Sequence, residues 1–210
     1  MVNLRTSGSL PENVRLPSST TPTHYKLDLI TVLDPDFIND GYFEMEATVA
    51  VGSAETARIS VNFQDMSFNE FSMALLDMTD FTLLEIQEHI FDFERDAYSL
   101  SFVTPGLAEF DVLMAGRFMG EIRDQLEVGY YRDSYTDVTT GETKWMAVTQ
   151  FQTNDARRAF PCIDEPNVKA TYAVRLGHAE GTVAQSNMPI VRSGDPVDGY
   201  PGYTLSLIHI

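Results

Sequence analysis

The amino-acid sequence predicts an all-β domain, a sandwich or an open barrel-like sheet, on three observations. Apolar and polar residues alternate with a period of two over many short segments, turn-forming residues separate those segments, and stretches with helical periodicity are few and short. The clearest alternation is Phe43, Met45, Ala47, Val49 and Val51 against Glu44, Glu46, Thr48 and Ala50, the pattern of a strand with one face in a core.

In chain order, residues 1–14 are rich in polar and turn-forming residues and read as a flexible lead-in. Tyr25, Leu27 and Leu29 alternate with Lys26 and Asp28 in the first strand, and Asp34-Pro35-Asp36 supplies a turn. Ile59, Val61 and Phe63 give a third strand, and the Phe, Leu and Ile content between Phe68 and Phe93, broken by Asp77, Asp80 and Asp92, suits short strands. Two more strands run through Tyr98, Leu100 and Phe102 and through Ala108, Phe110, Val112 and Met114, with Pro105-Gly106 between them. Val168, Ala170, Tyr172, Val174 and Leu176 form another, followed by a Gly- and Pro-rich tail. Short helices are expected only over Asp155 to Ala159, capped by Thr153 or Asn154, and over Glu121 to Leu126.

A chain of 210 residues with 43% hydrophobic content is long and apolar enough for a real core. Its formal net charge of −17 argues against a nucleic-acid partner and against contact of this segment with an anionic membrane, since both need clustered Lys and Arg. The acidity itself reads as a solubilising surface. Cys162 is the single cysteine, so no intrachain disulfide forms, and a small buried hydrophobe is its expected role. The first residues carry no hydrophobic signal region, so the protein is cytoplasmic or its targeting segment lies outside this chain.

The stretch that speaks of function is Met146 to Pro166. A strand over Trp145 to Gln152 puts Met146, Val148, Gln150 and Gln152 on one face, which begins apolar and ends in two neighbouring carboxamides. By spacing alone these are two amides facing water at a strand end. The charges that follow, Arg157-Arg158 and Asp164-Glu165, are expected to pair around the turn, with Asp155 as a further partner, and to serve as scaffold. Tyr130, Tyr131 and Tyr135 are expected as core aromatics with satisfied hydroxyls.

The whole string Thr-Gln-Phe-Gln-x-x-Asp-Ala-Arg-Arg-Ala-Phe-Pro-Cys-x-Asp-Glu-Pro, from Thr149 to Pro166, resembles the N-terminal domain of zinc aminopeptidases of the aminopeptidase N family. Arg15-Leu16-Pro17 followed by Pro22-Thr23-His24-Tyr25-Lys26-Leu27 is similar to that family's opening strand. Gly129-Tyr130-Tyr131-Arg132-Asp133-Ser134-Tyr135 and Ser186-Asn187-Met188-Pro189 resemble two further landmarks in the family's order. The resemblance implies a large, mostly antiparallel β-sandwich or saddle-like sheet over 15–204, incomplete before its last strands. It also implies a parent enzyme that removes amino-terminal residues from peptides.

The family's zinc motif, His-Glu-x-x-His on a helix, is absent here, and His24, His89, His178 and His209 are too scattered to share a helical face. The resemblance therefore implies no catalytic or metal-binding residue in this chain, which alone would be inactive, and zinc in a catalytic domain outside it. The partners implied are a peptide's amino terminus and that catalytic domain. Gln152 matches the family position that contacts the substrate's α-amine, and Gln150 resembles the one lining the pocket for the first side chain. Gln rather than Glu at 152 resembles the animal cell-surface members more than the cytosolic ones.

The rival reading is a non-catalytic binding or scaffold module with the same architecture. Residues 205–210, Leu-Ser-Leu-Ile-His-Ile, look like one reading frame of a transposon end used in sequencing libraries and are expected to be non-native.

Overall fold

A computed structural model of the protein describes residues 15–51, 55–124 and 127–209. Three long strands dominate it: β1 (Thr20–Val32), β2 (Ile38–Ala50) and, later in the chain, β8 (Glu109–Glu121). β1 pairs antiparallel with β2 and β2 with β8, so that Leu27 faces Phe43, Met45 faces Met114 and Val49 faces Phe110 across the ladders. Because side chains alternate faces, this register gathers Tyr25, Leu27, Phe43, Met45, Val49, Val112 and Met114 on one side, all at most 1% exposed.

Between β2 and β8 lie β3 (Thr56–Asn62), β4 (Met66–Phe68), β5 (Ala74–Asp77), β6 (Ile86–Asp92) and β7 (Ala97–Val103). β4 and β5 share the outer edge of β8, whereas β3, β7 and β6 form a separate three-stranded sheet in that order. Ile59, Val61, Leu100 and Phe102 of that sheet join the same core. Phe102 meets Phe110 edge-on at 6.2 Å, and Tyr98 stacks on Phe68 at 4.4 Å, tying the two layers together. The architecture is the all-β sandwich the alternation predicts.

β9 (Gly129–Thr136) and β10 (Thr143–Gln150) make a two-stranded hairpin of their own. β11 (Thr171–Ala179) then runs parallel to β1, and β12 (Ile190–Pro196) and β13 (Tyr203–His209) extend the main sheet beyond it. All other pairings between strands are antiparallel. The expected strand from Val168 begins at Thr171, because the Val168 N–H closes a turn onto the Glu165 carbonyl at 2.9 Å.

Of the two short helices expected, the first in the chain fails and the second is present only as one 3-10 turn. Glu121 ends β8 and the Ile122 N–H bonds the Phe37 carbonyl at 2.8 Å, so the first residues of the expected 121–126 helix are extended; Gln125 and Leu126, like the lead-in 1–14, lie outside the described residues. Asp155 to Ala159 is a single 3-10 turn, Ala156–Arg158. Thr153 does not cap it: its hydroxyl bonds Asn154 Oδ1 at 3.1 Å, and the N-cap residue Asp155 makes no side-chain cap bond. Residues 205–209 continue β13, which lies between β11 and β12, and Ile208 is buried there.

Gly41 faces Phe118 across the β2–β8 ladder, and a Cβ at Gly41 would lie 2.1 Å from Phe118 Cζ. The ring fills the space a side chain would need. Gly41→Ala should destabilise the domain by about 1–3 kcal/mol, the usual cost of overfilling a packed core, measured by urea unfolding. An unchanged midpoint would mean that the ring does not cover Gly41. Cys162 is 3% exposed, and loss of hydration pushes its thiol well above the usual range. It should resist a thiol reagent in the folded protein and react at once in denaturant.

Candidate functional site

The hairpin β9–β10 presents two unlike faces. Tyr130 and Arg132 of β9 and Trp145 of β10 lie on the face turned to the main sheet. There Tyr130 hydrogen-bonds Thr31 through its hydroxyl, the Arg132 guanidinium sits 3.7 Å over the Phe37 ring, and Trp145 meets Phe37 edge-on at 5.0 Å. Burial pushes the Tyr130 phenol up to about 12. Gln150 is on the opposite face with Met146 and Val148, and its side chain is exposed.

Gln152 does not share that face. The strand expected over Trp145 to Gln152 stops at Gln150, and Gln152 opens the turn that follows, its peptide bond to Thr153 being cis. Phe151 causes the break. Its ring leaves the hairpin to pack edge-on against Phe160 at 5.9 Å, and its carbonyl takes the Asp155 N–H at 3.0 Å, which closes a turn around Gln152. Both glutamines are exposed, and no hydrogen bond ties either carboxamide to the described residues. The two amides therefore flank a partly buried phenylalanine, one at a strand end and one in a tight turn.

The charges around the turn are scaffold. Arg157, 8% exposed, donates from its backbone N–H and from Nε to one Asp164 oxygen at 3.2 and 3.1 Å, and from a terminal nitrogen to the Asp164 carbonyl at 3.4 Å. Arg158 donates to Asp155 at 3.1 Å and also reaches Asp65, 93 residues away in sequence. No sequence signal marks that second partner. Glu165 is held by Arg15 at 3.6 Å instead of by the arginine pair. Tyr131 is half-buried as an aromatic of the open face, but Tyr135 is 53% exposed and not in the core, because the far end of β9 runs out beyond the main sheet.

The described imidazoles are engaged with hydroxyls: His24 with Thr171 at 2.7 Å, His89 with Tyr98 at 2.6 Å, and His178 with Ser206 and Thr182 at 3.0 Å. Among the described residues, no group of three or more His, Cys, Asp or Glu side chains could hold a metal ion. What the site offers is two carboxamides with no hydrogen bond to the described residues, flanking a phenylalanine packed against the core.

The family model for the peptidase M1 N-terminal domain matches residues 21–202. The chain belongs to this family. The M1 N-terminal domain described here is 32% identical over 183 residues to the alanine/arginine aminopeptidase of Saccharomyces cerevisiae, covering 83% of this chain and 19% of the yeast protein. It is 37% identical over 178 residues to aminopeptidase M1-D of Oryza sativa subsp. japonica, covering 84% of this chain and 19% of the rice protein. To the human glutamyl aminopeptidase it is 29% identical over 189 residues, covering 86% of this chain and 18% of the human protein. The chain thus spans about a fifth of the length of these relatives.

The Arg157–Asp164 pair has side chains only 10% and 13% exposed, so removing one partner leaves a buried charge behind. Asp164→Ala should cost about 3–5 kcal/mol of stability, as breaking a buried pair does, whereas Glu142→Ala at the exposed Lys144 pair should be nearly neutral. Chemical unfolding of both variants measures the difference, and equal losses would contradict the scaffold role.

Proposed function

We propose that this M1 N-terminal domain recognises the substrate's free α-amine in a zinc aminopeptidase, with Gln152 as an acceptor and Gln150 lining the pocket for the first side chain. The observation that carries this reading is the pair of exposed, unbonded carboxamides on either side of Phe151, whose partly buried ring packs against the core. An α-ammonium has three N–H donors, each of which needs an acceptor once water is excluded. The Gln152 carbonyl oxygen satisfies one of them and carries no charge. Neutralising the ammonium then falls to carboxylates outside this chain.

The family origin of the relatives supports a peptidase, and the partners in this reading are a peptide's amino terminus and the catalytic part of the same enzyme. In this reading zinc belongs to that part; among the described residues no group of three or more His, Cys, Asp or Glu side chains could hold it. This domain contributes binding and orientation, which act on the reaction by fixing where the amino terminus sits.

Gln152→Ala in the full-length enzyme leaves the ammonium one acceptor short inside a closed site. Catalytic efficiency on peptides with a free amino terminus should fall about tenfold to a hundredfold, matching the 1–3 kcal/mol cost of an unmet buried donor, with zinc content unchanged by metal analysis. Gln152→Glu should retain activity. An efficiency within about twofold of the parent enzyme, well below the loss of a buried acceptor, would instead favour a scaffold role for the domain.

A further inference from the structure

Arg158 touches the supports of both amide positions. Gly129 is the cross-strand partner of Gln150; its φ is +71°, and a Cβ on it would lie 2.4 Å from Arg158 Cβ and 2.8 Å from Arg158 Cδ. The aliphatic stem of Arg158 therefore lies directly on the backbone opposite Gln150. Its Nε donates to Asp155 Oδ1 at 3.1 Å, and the Asp155 N–H bonds the Phe151 carbonyl to close the turn that holds Gln152. One side chain spans from the strand end before Phe151 to the turn after it.

The far end of that side chain is braced. Its guanidinium pairs with Asp65, whose other oxygen takes a terminal nitrogen of Arg123 at 2.9 Å. The Asp65 carbonyl accepts the Glu121 N–H at 3.2 Å, and the Arg123 carbonyl accepts the Arg132 N–H of β9 at 2.7 Å. Asp65 thereby links the arginine to the end of β8 and, through Arg123, to the hairpin. Side chains of Arg158 and Asp65 are 18% and 16% exposed, sheltered enough for their geometry to be held.

We propose that Arg158, braced by Asp65, is a positioning residue that sets the spacing between Gln150 and Gln152 and so acts on amine recognition without touching substrate. This rests on the amine-binding reading of Gln152. A lysine keeps the charge and the stem but lacks the planar fork that serves Asp155 and Asp65 together. Arg158→Lys should therefore loosen the turn while leaving the sheet intact.

The test is a double-mutant cycle in the full-length enzyme, combining Arg158→Lys with Gln152→Ala and reading KM and kcat on a peptide with a free amino terminus. Arg158→Lys alone should lower kcat/KM by about three- to tenfold, a coupling typical of residues in one hydrogen-bond network, chiefly through KM. In the Gln152→Ala background the same change should cost less than about twofold, because an interaction already lost is not lost again. Additive losses, or full efficiency in Arg158→Lys, would overturn the positioning role while leaving amine recognition standing. If Gln152→Ala alone has no effect, the amine-binding reading fails first and this role with it. Should Arg158→Lys fold poorly, Asp65→Asn removes the brace and keeps the Asp155 contact, and the same cycle with Gln152→Ala decides the question by the same outcomes.

Discussion

The segment from Ala159 to Asp164 passes through the interior, and it can do so only because its backbone polar groups find partners there. Asn39 of β2 donates from its side chain to the Ala159 carbonyl at 2.9 Å, and Asn62 of β3 exchanges two backbone bonds with Cys162 at 2.7 and 3.2 Å. The Ile163 N–H bonds the Tyr25 hydroxyl at 3.0 Å, and the Asp164 N–H bonds the Asn62 side-chain oxygen at 3.1 Å. The two sheets thus share the work of satisfying one buried crossing. Remove either layer and several donors and acceptors are left bare at a cost of about 1–3 kcal/mol each.

That crossing fixes the place where the amides sit. Phe160 stands among Tyr25, Tyr172 and Phe151, with ring centroids 6.4, 6.1 and 5.9 Å away, so the residue between the two glutamines is seated by the same core that closes the sandwich. From the other side, the Arg132 stack on Phe37 and the Tyr130 hydroxyl on Thr31 hold the hairpin against the tips of β1 and β2. A turn held on both flanks loses little further freedom when a ligand binds, which favours affinity through lower ordering cost rather than through more contacts.

The sequence made the sandwich legible because β1, β2, β3, β7 and β8 each have one face in a common core, and period-two alternation reports that directly. β12 was hidden, since register shifts at Ile190/Arg192 and Ser193/Asp195 break its alternation and Gly194 sits at positive φ, whereas most of β13 falls within 205–210, the residues expected to be non-native. Around the proposed site, the motif named both glutamines as candidates but could not give their arrangement. Alternation runs on through Phe151 on paper, and only the Phe160 ring, nine residues later, turns the chain there. The Arg158–Asp65 pair joins positions 93 residues apart, and pattern reasoning sees no partner at that separation.

The charge of the chain and the neutrality of the amides belong to one account. With a formal net charge of −17, the surface field attracts cations at long range, and an amino terminus is a cation. Attraction of that kind is screened beyond about 10 Å at ordinary salt and cannot select one orientation. Selecting an orientation takes a directional acceptor at short range, which a carbonyl oxygen provides. A carboxylate at Gln152 would add Coulomb attraction but would also need desolvating before it could be enclosed, and that penalty offsets much of the gain. An amide carries a smaller penalty and still satisfies one donor. Under the proposed amine-binding role, the division of labour that follows leaves charge to the surrounding surface and to the rest of the enzyme, and leaves direction to Gln152, whose turn is held by Asp155, Arg158 and the partly buried Phe151.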